Sequence, residues 1–104
     1  MIETLKKILG LEPKINYAEL VANGAIILDV RTKGEYQGGH IKNSINIPVE
    51  NLPGNLSKLK KDKTIITCCA SGMRSASAKN ILKANGFLVV YNGGGWMSLQ
   101  NKIR

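Results

Sequence analysis

Long apolar runs are missing from this sequence. No run approaches the about 20 residues that a membrane-spanning helix requires. The first ten residues, MIETLKKILG, also lack the long apolar segment and small-residue cleavage site of a secretory signal peptide. We therefore expect no membrane partner and a cytoplasmic location.

Histidine and cysteine are scarce. The chain has one histidine, His40, and two cysteines, Cys68 and Cys69, which are adjacent. Neighbouring cysteines are too close for an unstrained loop-closing disulfide, which excludes a secreted disulfide scaffold. Zinc sites need four ligands at workable spacing. We expect no metal site and no cofactor, and we assign His40 a hydrogen-bonding role in a turn.

Aromatic and acidic residues are also few. Aromatic residues make up 5% of the chain, and 15 Lys and Arg face 7 Asp and Glu, giving a net charge of +8. The lysines are scattered, and there is little aromatic interleaving for base stacking. The charge therefore favours a solvated basic surface that attracts small anions over one that binds nucleic acid.

The remaining pattern alternates strands with helices in a chain of 104 residues, long enough for one domain. Apolar and β-branched runs predict strands, whereas capping signals and helix formers predict helices or helical turns. The predicted strands are 25–30, 44–47, 64–68 and 87–91; the predicted helical segments are 2–9, 16–24, 32–37, 52–61, 74–85 and 96–101. This order predicts an α/β fold with a mostly parallel sheet covered on both faces.

The turn Cys69-Ala70-Ser71-Gly72-Met73-Arg74 follows the third predicted strand, where parallel sheets place their ligands. Successive backbone N–H groups and a helix N-terminus can stabilise a thiolate there. Gly72 permits a backbone geometry that other residues resist. Arg74 adds a positive charge if its side chain turns inward. The turn predicts a reactive Cys69 that carries a group between two substrates, and the same cradle suits a persulfide, thiosulfate or phosphate.

Several segments together resemble the single-domain rhodaneses, which are thiosulfate sulfurtransferases. The resemblance is carried by Asp29-Val30-Arg31 with Glu35, Gly39-His40-Ile41, Ser44 to Pro48, Cys69 to Ser75, and Tyr91 to Trp96. It implies a rhodanese-like three-layer fold over residues 14–104, with a sheet of about five strands and a helical extension at 1–13. It also implies a Cys69 persulfide cradled by the loop's backbone N–H groups, those of Ala70, Ser71, Gly72, Met73, Arg74 and Ser75. The donor would be a small sulfur anion such as thiosulfate, and the acceptor cyanide, a small thiol or a protein thiol.

Other polar residues of the matching segments have a supporting role in this interpretation. We expect Asp29, Arg31 and Glu35 to form an ion-pair network beside the site rather than to take part in catalysis. Cys68, at the strand end, should point into the core. The alternative for Cys68 is a resolving thiol or a strained vicinal disulfide.

Two other functions fit parts of the pattern. Cys68 to Arg74 matches the Cys-x5-Arg count of cysteine-based phosphatases and arsenate reductases, but the glycine then falls one place late and Cys68 belongs to the strand. Rhodanese-like domains also occur as inactive binding modules, although the intact Cys69 argues against this. Sulfur transfer through Cys69 is therefore the preferred hypothesis.

Overall fold

The computed structural model describes residues 14–104, and the predicted helix 2–9 and extension 1–13 lie outside the described residues. The helices are α1 (Tyr17–Ala22), α2 (Lys33–Gln37), α3 (Met73–Ala84) and α4 (Trp96–Ile103). The strands are β1 (Ile26–Asp29), β2 (Ile45–Asn46), β3 (Ile65–Cys69) and β4 (Val90–Gly95). Helices and strands alternate along the chain, as predicted.

These strands form one parallel sheet in the order β2-β1-β3-β4. Within residues 14–104 the sheet has four strands, compared with the expected number of about five. Because the strands are parallel, their carboxyl ends lie along one edge, where parallel sheets hold their ligands. No helix in this part of the chain is long and apolar enough to cross a membrane.

Side chains on the two faces of the sheet belong to two apolar clusters. All five residues of β3 are buried, as expected for a strand covered on both sides. One cluster contains Ile65 and Cys69 with Leu82 of α3, and the other contains Cys68 with Leu99 of α4. Alternation along β3 therefore sends the two cysteines to opposite faces.

The predicted helix 52–61 is not an α-helix. The segment forms two 3₁₀ turns, Val49–Gly54 and Leu56–Lys58. Pro53 lies inside the first turn, and proline has no backbone N–H for the bonding pattern of a longer helix. Leu52 is fully buried and packs the segment onto the core.

The last strand begins and ends later than predicted. It covers Val90–Gly95 rather than 87–91, so the glycines expected in a turn belong to the strand. Thr67 pairs with Asn92 and Cys69 with Gly95, which gives β4 one extra residue beside Cys69. Gly94 has a φ of 81°, a conformation that glycine adopts without strain at a bulge. The glycine run therefore lets β4 continue along the loop that follows β3.

Candidate active site

Cys69 is the last residue of β3, whereas the sequence pattern predicts it in the turn directly after the strand. Its side chain is fully buried. The backbone N–H groups of Gly72 and Ser75 point at its sulfur, with N–Sγ distances of 3.0 and 3.4 Å. The Ser75 hydroxyl oxygen lies 3.5 Å from the same sulfur. A short loop therefore folds back over the thiol and surrounds it with hydrogen-bond donors.

The loop closes because Gly72 has a φ of 106°, a left-handed conformation that other residues adopt only with strain. Gly72 is the N-cap of α3, which begins at Met73. Its N–H turns toward Cys69 instead of solvent, and the positive end of a twelve-residue helix faces the same region.

These donors govern the pKa of Cys69. Burial alone would raise the pKa of the thiol, since it disfavours the charged form. Hydrogen bonds from the hydroxyl and N–H of Ser75 and from the N–H groups of Gly72 and Ser71 outweigh burial and lower this pKa. The site thus favours the thiolate, which is the nucleophilic form.

Cys68 has the opposite environment. It is fully buried in the cluster on the other face of the sheet, as predicted for a core residue. Burial, together with the carboxylate of Asp29, raises the pKa of Cys68 to about 12. Both cysteines are free, and their positions on opposite faces do not favour a vicinal disulfide.

A buried ion pair supports the site from β1. Arg31 donates from Nε and Nη2 to the Asp29 carboxylate, the shortest distance being 2.7 Å. Its guanidinium also donates to the backbone carbonyls of Glu35 and Gly39 and lies 4.6 Å from the ring centroid of Trp96. Arg31 therefore connects β1, α2 and the start of α4.

The Glu35 carboxylate does not pair with Arg31, as the expected ion-pair network of Asp29, Arg31 and Glu35 would require. It pairs with Arg74, with distances of 2.7 Å from Nη1 to Oε1 and 2.9 Å from Nη2 to Oε2, whereas Arg31 reaches only the backbone carbonyl of Glu35. It also accepts bonds from the N–H and hydroxyl of Thr32, which cap α2. Arg74 and these Thr32 bonds hold the pKa of Glu35 at about 2. Arg74 is thus turned toward a carboxylate at the rim of the loop.

The other loop residues lie outward. Ala70, Ser71 and Met73 are exposed, and Met73 is 79% exposed. His40 is also exposed; it stacks on Tyr36, with its Nδ1 2.7 Å from the Tyr36 carbonyl, consistent with the turn role expected for it. No group of three or more His, Cys, Asp or Glu residues within 14–104 could hold a metal ion.

Sequence reasoning assigned no role to one side chain of the site. Asn92 of β4 accepts a bond from the Ser75 hydroxyl at 2.6 Å and donates to the Gly72 carbonyl at 3.2 Å. It belongs to the Tyr91 to Trp96 segment of the resemblance, but its contacts depend on the bulge in β4. The signal that could have indicated this role for Asn92 is the pairing of β3 with β4, because that pairing brings Asn92 opposite Thr67.

Residues 13–102 match the family model described as a rhodanese-like domain. The chain is 35% identical over 81 residues to the uncharacterized protein YqhL of Bacillus subtilis, covering 77% of this chain and 64% of YqhL. It is 34% identical over 87 residues to the tRNA uridine(34) hydroxylase of Escherichia coli, covering 77% of this chain and 25% of that protein. The chain thus spans less than two thirds of either relative. The human single-domain sulfurtransferase TSTD1 superposes with a TM-score of 0.72 at 26% identity, covering 81% of this chain and 88% of that one.

Proposed function

Because this chain belongs to the rhodanese-like domain family, we propose that it is a sulfurtransferase that carries sulfur as a persulfide on Cys69. The donor is thiosulfate or another small sulfane-sulfur compound, and the acceptor is cyanide or a thiol. The observation that supports this best is the convergence of the Gly72 and Ser75 N–H groups on the Cys69 sulfur.

The first half-reaction forms the persulfide. The Cys69 thiolate attacks the outer sulfur of thiosulfate, a new S–S bond forms, and the S–S bond of thiosulfate breaks. Sulfite leaves with the electron pair of the broken bond. The negative charge stays beside the loop, now on the outer sulfur of Cys69-S-S⁻, and the N–H groups stabilise it as they stabilise the thiolate.

The second half-reaction returns the enzyme to its starting state. The acceptor, cyanide or a thiolate, attacks the outer sulfur of the persulfide, and the S–S bond to Cys69 breaks. The bond pair returns to Cys69 as a thiolate, whose lowered pKa makes it a good leaving group. The same cradle therefore assists both half-reactions without a metal or cofactor.

Donor size is restricted by the depth of the sulfur. Cys69 is fully buried, and the loop above it presents exposed residues at the rim. A small anion can approach a buried sulfur more easily than a bulky donor can, and the net charge of +8 attracts anions. A thiol acceptor also requires a compartment that keeps Cys69 reduced, which is consistent with the cytoplasm.

Mass spectrometry of the intact protein after thiosulfate treatment tests the proposal. We expect a gain of about 32 Da, one sulfur atom, that is lost on adding cyanide or a thiol and absent from Cys69→Ser. The Cys68→Ala variant is the matched control and should gain the sulfur. No gain in the wild-type protein would contradict sulfur transfer and favour an inactive binding module.

A phosphatase or arsenate reductase would use the loop for a larger oxyanion. Counting from Cys68 gives the Cys-x5-Arg spacing of such enzymes, but the N–H groups converge on Cys69, which leaves four residues before Arg74. A phosphatase assay of Cys68→Ser and Cys69→Ser beside sulfur transfer separates these functions. Phosphatase activity lost only in Cys68→Ser would overturn the assignment of Cys69.

The hydroxylase relative does not extend the proposal. This chain covers 25% of that protein, so the hydroxylation named there is not carried over. What the relatives support for this chain is sulfur transfer by a rhodanese-like domain.

A further inference from the structure

Ser75 has more hydrogen-bond acceptors around its hydroxyl than it has protons. The residue is fully buried. Its oxygen lies 2.6 Å from Asn92 Oδ1, 3.0 Å from the Gly72 carbonyl oxygen and 3.5 Å from Cys69 Sγ. A hydroxyl carries one proton and can donate one strong bond at a time. The partner that receives this proton therefore depends on the state of the sulfur.

When Cys69 is a thiol, the partners of the Ser75 hydroxyl follow from the distances. The Cys69 S–H donates to the Ser75 oxygen, and the Ser75 proton goes to Asn92 Oδ1, its nearest acceptor. In the thiolate state the sulfur has no proton and becomes a charged acceptor. Charge-assisted hydrogen bonds are stronger than neutral ones, so the hydroxyl can turn from Asn92 to the sulfur.

The Asn92 side-chain amide keeps hydrogen-bond partners when the Ser75 proton turns from Asn92 to the sulfur. Its Oδ1 also accepts from the N–H of Gly94 at 3.0 Å, and its Nδ2 donates to the Gly72 carbonyl at 3.2 Å. The Gly94 N–H can only donate, which fixes the oxygen of the amide on that side. Asn92 Oδ1 therefore keeps one bond when the Ser75 proton leaves.

We infer that Asn92 is a positioning residue that competes with the Cys69 sulfur for the Ser75 hydroxyl proton and thereby sets how readily Cys69 ionises. It acts through Ser75 rather than by touching the sulfur. The inference rests on the proposed function in taking Cys69 as the reacting thiol.

The charged groups near the loop are paired, which leaves the ionisation of Cys69 sensitive to the competition for the Ser75 proton. Two ion pairs, Asp29–Arg31 and Glu35–Arg74, bring opposite charges in equal number to this edge of the sheet. Cys68 faces the other side, with a pKa of about 12. Tyr91 of β4 pairs with Ile66 and contacts Tyr17 with its ring, away from Cys69. The neutral donors at the sulfur therefore carry much of the control over ionisation.

Thiolate absorbance near 240 nm measured against pH tests the inference without a sulfur donor or an alkylating reagent. A Cys68→Ala background leaves Cys69 as the one cysteine in the chain, and Cys69→Ser gives the baseline. We expect Ser75→Ala to raise the pKa of Cys69 and Asn92→Ala to lower it, each by about half to one pH unit. Asn92→Ala should have no effect once Ser75 is alanine.

If Asn92 only supported the loop, Asn92→Ala would shift the pKa of Cys69 in the opposite direction. A slackened loop would orient its N–H groups poorly, and Asn92→Ala would then raise the pKa of Cys69. A rise, or a shift of equal size with and without Ser75, overturns the inference. Asn85→Ala is the matched control, because that exposed amide bonds to the Ile81 carbonyl at the far end of α3 and should leave the titration unchanged.

Asn92→Asp decides the matter if Asn92→Ala does not fold. The carboxylate accepts the Ser75 proton more strongly than the amide does, so the pKa of Cys69 should rise. Its second oxygen cannot replace the Nδ2 donor to the Gly72 carbonyl, but that loss is the same with and without Ser75. The rise should be larger with Ser75 present than with Ser75→Ala, whereas an equal rise contradicts the competition. Because these titrations involve no donor or acceptor, they remain readable even if the sulfur-transfer assays fail.

Discussion

The guanidinium of Arg74 pairs through two hydrogen bonds with the carboxylate of Glu35, 39 residues earlier in the chain. The pair joins the start of α3 to α2 across the rim of the Cys69 loop. It is partly exposed, with about a third of each side chain accessible. Arg74 can therefore exchange part of this contact for an incoming anion.

Arg74→Ala should impair the use of an anionic donor more than the chemistry of the persulfide. The arginine carries its charge at the rim, whereas backbone N–H groups contact the sulfur. We expect KM for thiosulfate to rise about five-fold, a size typical of a partly exposed charge contact. Steady-state kinetics measure this, and stopped-flow reaction of preformed persulfide with cyanide gives the second half-reaction. Equal losses in both would mean that the side chain also stabilises the persulfide.

Glu35→Gln should have the opposite effect on the donor. The amide oxygen can still accept from the Thr32 N–H and cap α2, but the negative charge that holds Arg74 is gone. We expect KM for thiosulfate to fall about two- to five-fold at low salt, with the difference shrinking as salt screens the exposed charges. Glu19→Gln, in the exposed first turn of α1, is the matched control. A higher KM would show that Glu35 positions Arg74 for the donor.

The rate of persulfide formation should rise with pH and level off once Cys69 is ionised. The hydrogen bonds from Ser75 and Gly72 outweigh burial and lower the pKa of Cys69, so its midpoint should lie below that of an ordinary thiol. Single-turnover rates with thiosulfate between pH 5 and 10 test this, and Cys68→Ala should leave the midpoint in place. A midpoint above the ordinary thiol value would mean that burial outweighs the hydrogen bonds.

The pH dependence of the Glu35–Arg74 pair follows from the lowered pKa of Glu35, about 2. A carboxylate with a lowered pKa contributes to stability above its unfolded-state pKa, near 4.3, and loses that contribution as pH falls toward its folded value. The pair therefore stays intact across the range in which Cys69 titrates. Between pH 5 and 10 the pH profile of persulfide formation should therefore show the Cys69 transition without a second one from Glu35.

Gly72→Ala should destabilise the fold and loosen the sulfur cradle together. A φ of 106° is strained for alanine and costs about 1–2 kcal/mol in the free energy of unfolding. The Gly72 N–H also points at Cys69, so a shifted loop should raise the pKa of that thiol. Urea unfolding and the 240 nm titration measure the two effects.

Gly34→Ala is the matched control for that change. Gly34 lies in α2 with a helical backbone, and a Cβ there would meet open space. We expect it to leave stability unchanged or raise it by up to about 1 kcal/mol. A similar loss in both variants would argue that the conformation of Gly72 is not the cause.

Local pattern was enough to predict most of the architecture. The apolar runs at 25–30 and 64–68 predicted buried parallel strands, and β1 and β3 lie within a residue of them. Asn16 was expected at a helix start and is the N-cap of α1, and α3 begins at Met73, one residue before its predicted start. Such features depend on neighbours within a few residues, which is the range that sequence patterns report.

Two segments were predicted wrongly, for different reasons. The segment 52–61 was predicted as a helix, yet Pro53, a local signal against a long helix, lies inside it, and the segment forms 3₁₀ turns. The glycines after Tyr91 looked like a turn because glycine favours turns, yet they form a bulged strand that pairs with β3. In this second case packing against a distant strand overrode local preference.

The sequence by itself determined the alternation of strands and helices, the basic charge, and the position of a cysteine at the end of a buried strand beside a glycine-containing turn. These follow from side-chain chemistry and local spacing. Only the tertiary structure decided that the N–H groups aim at Cys69, that Cys68 faces the other side, and that Glu35 holds Arg74. It also decided that Asn92 shares the proton of Ser75, because that contact exists only once β4 pairs with β3 and brings two segments 17 residues apart within hydrogen-bond distance.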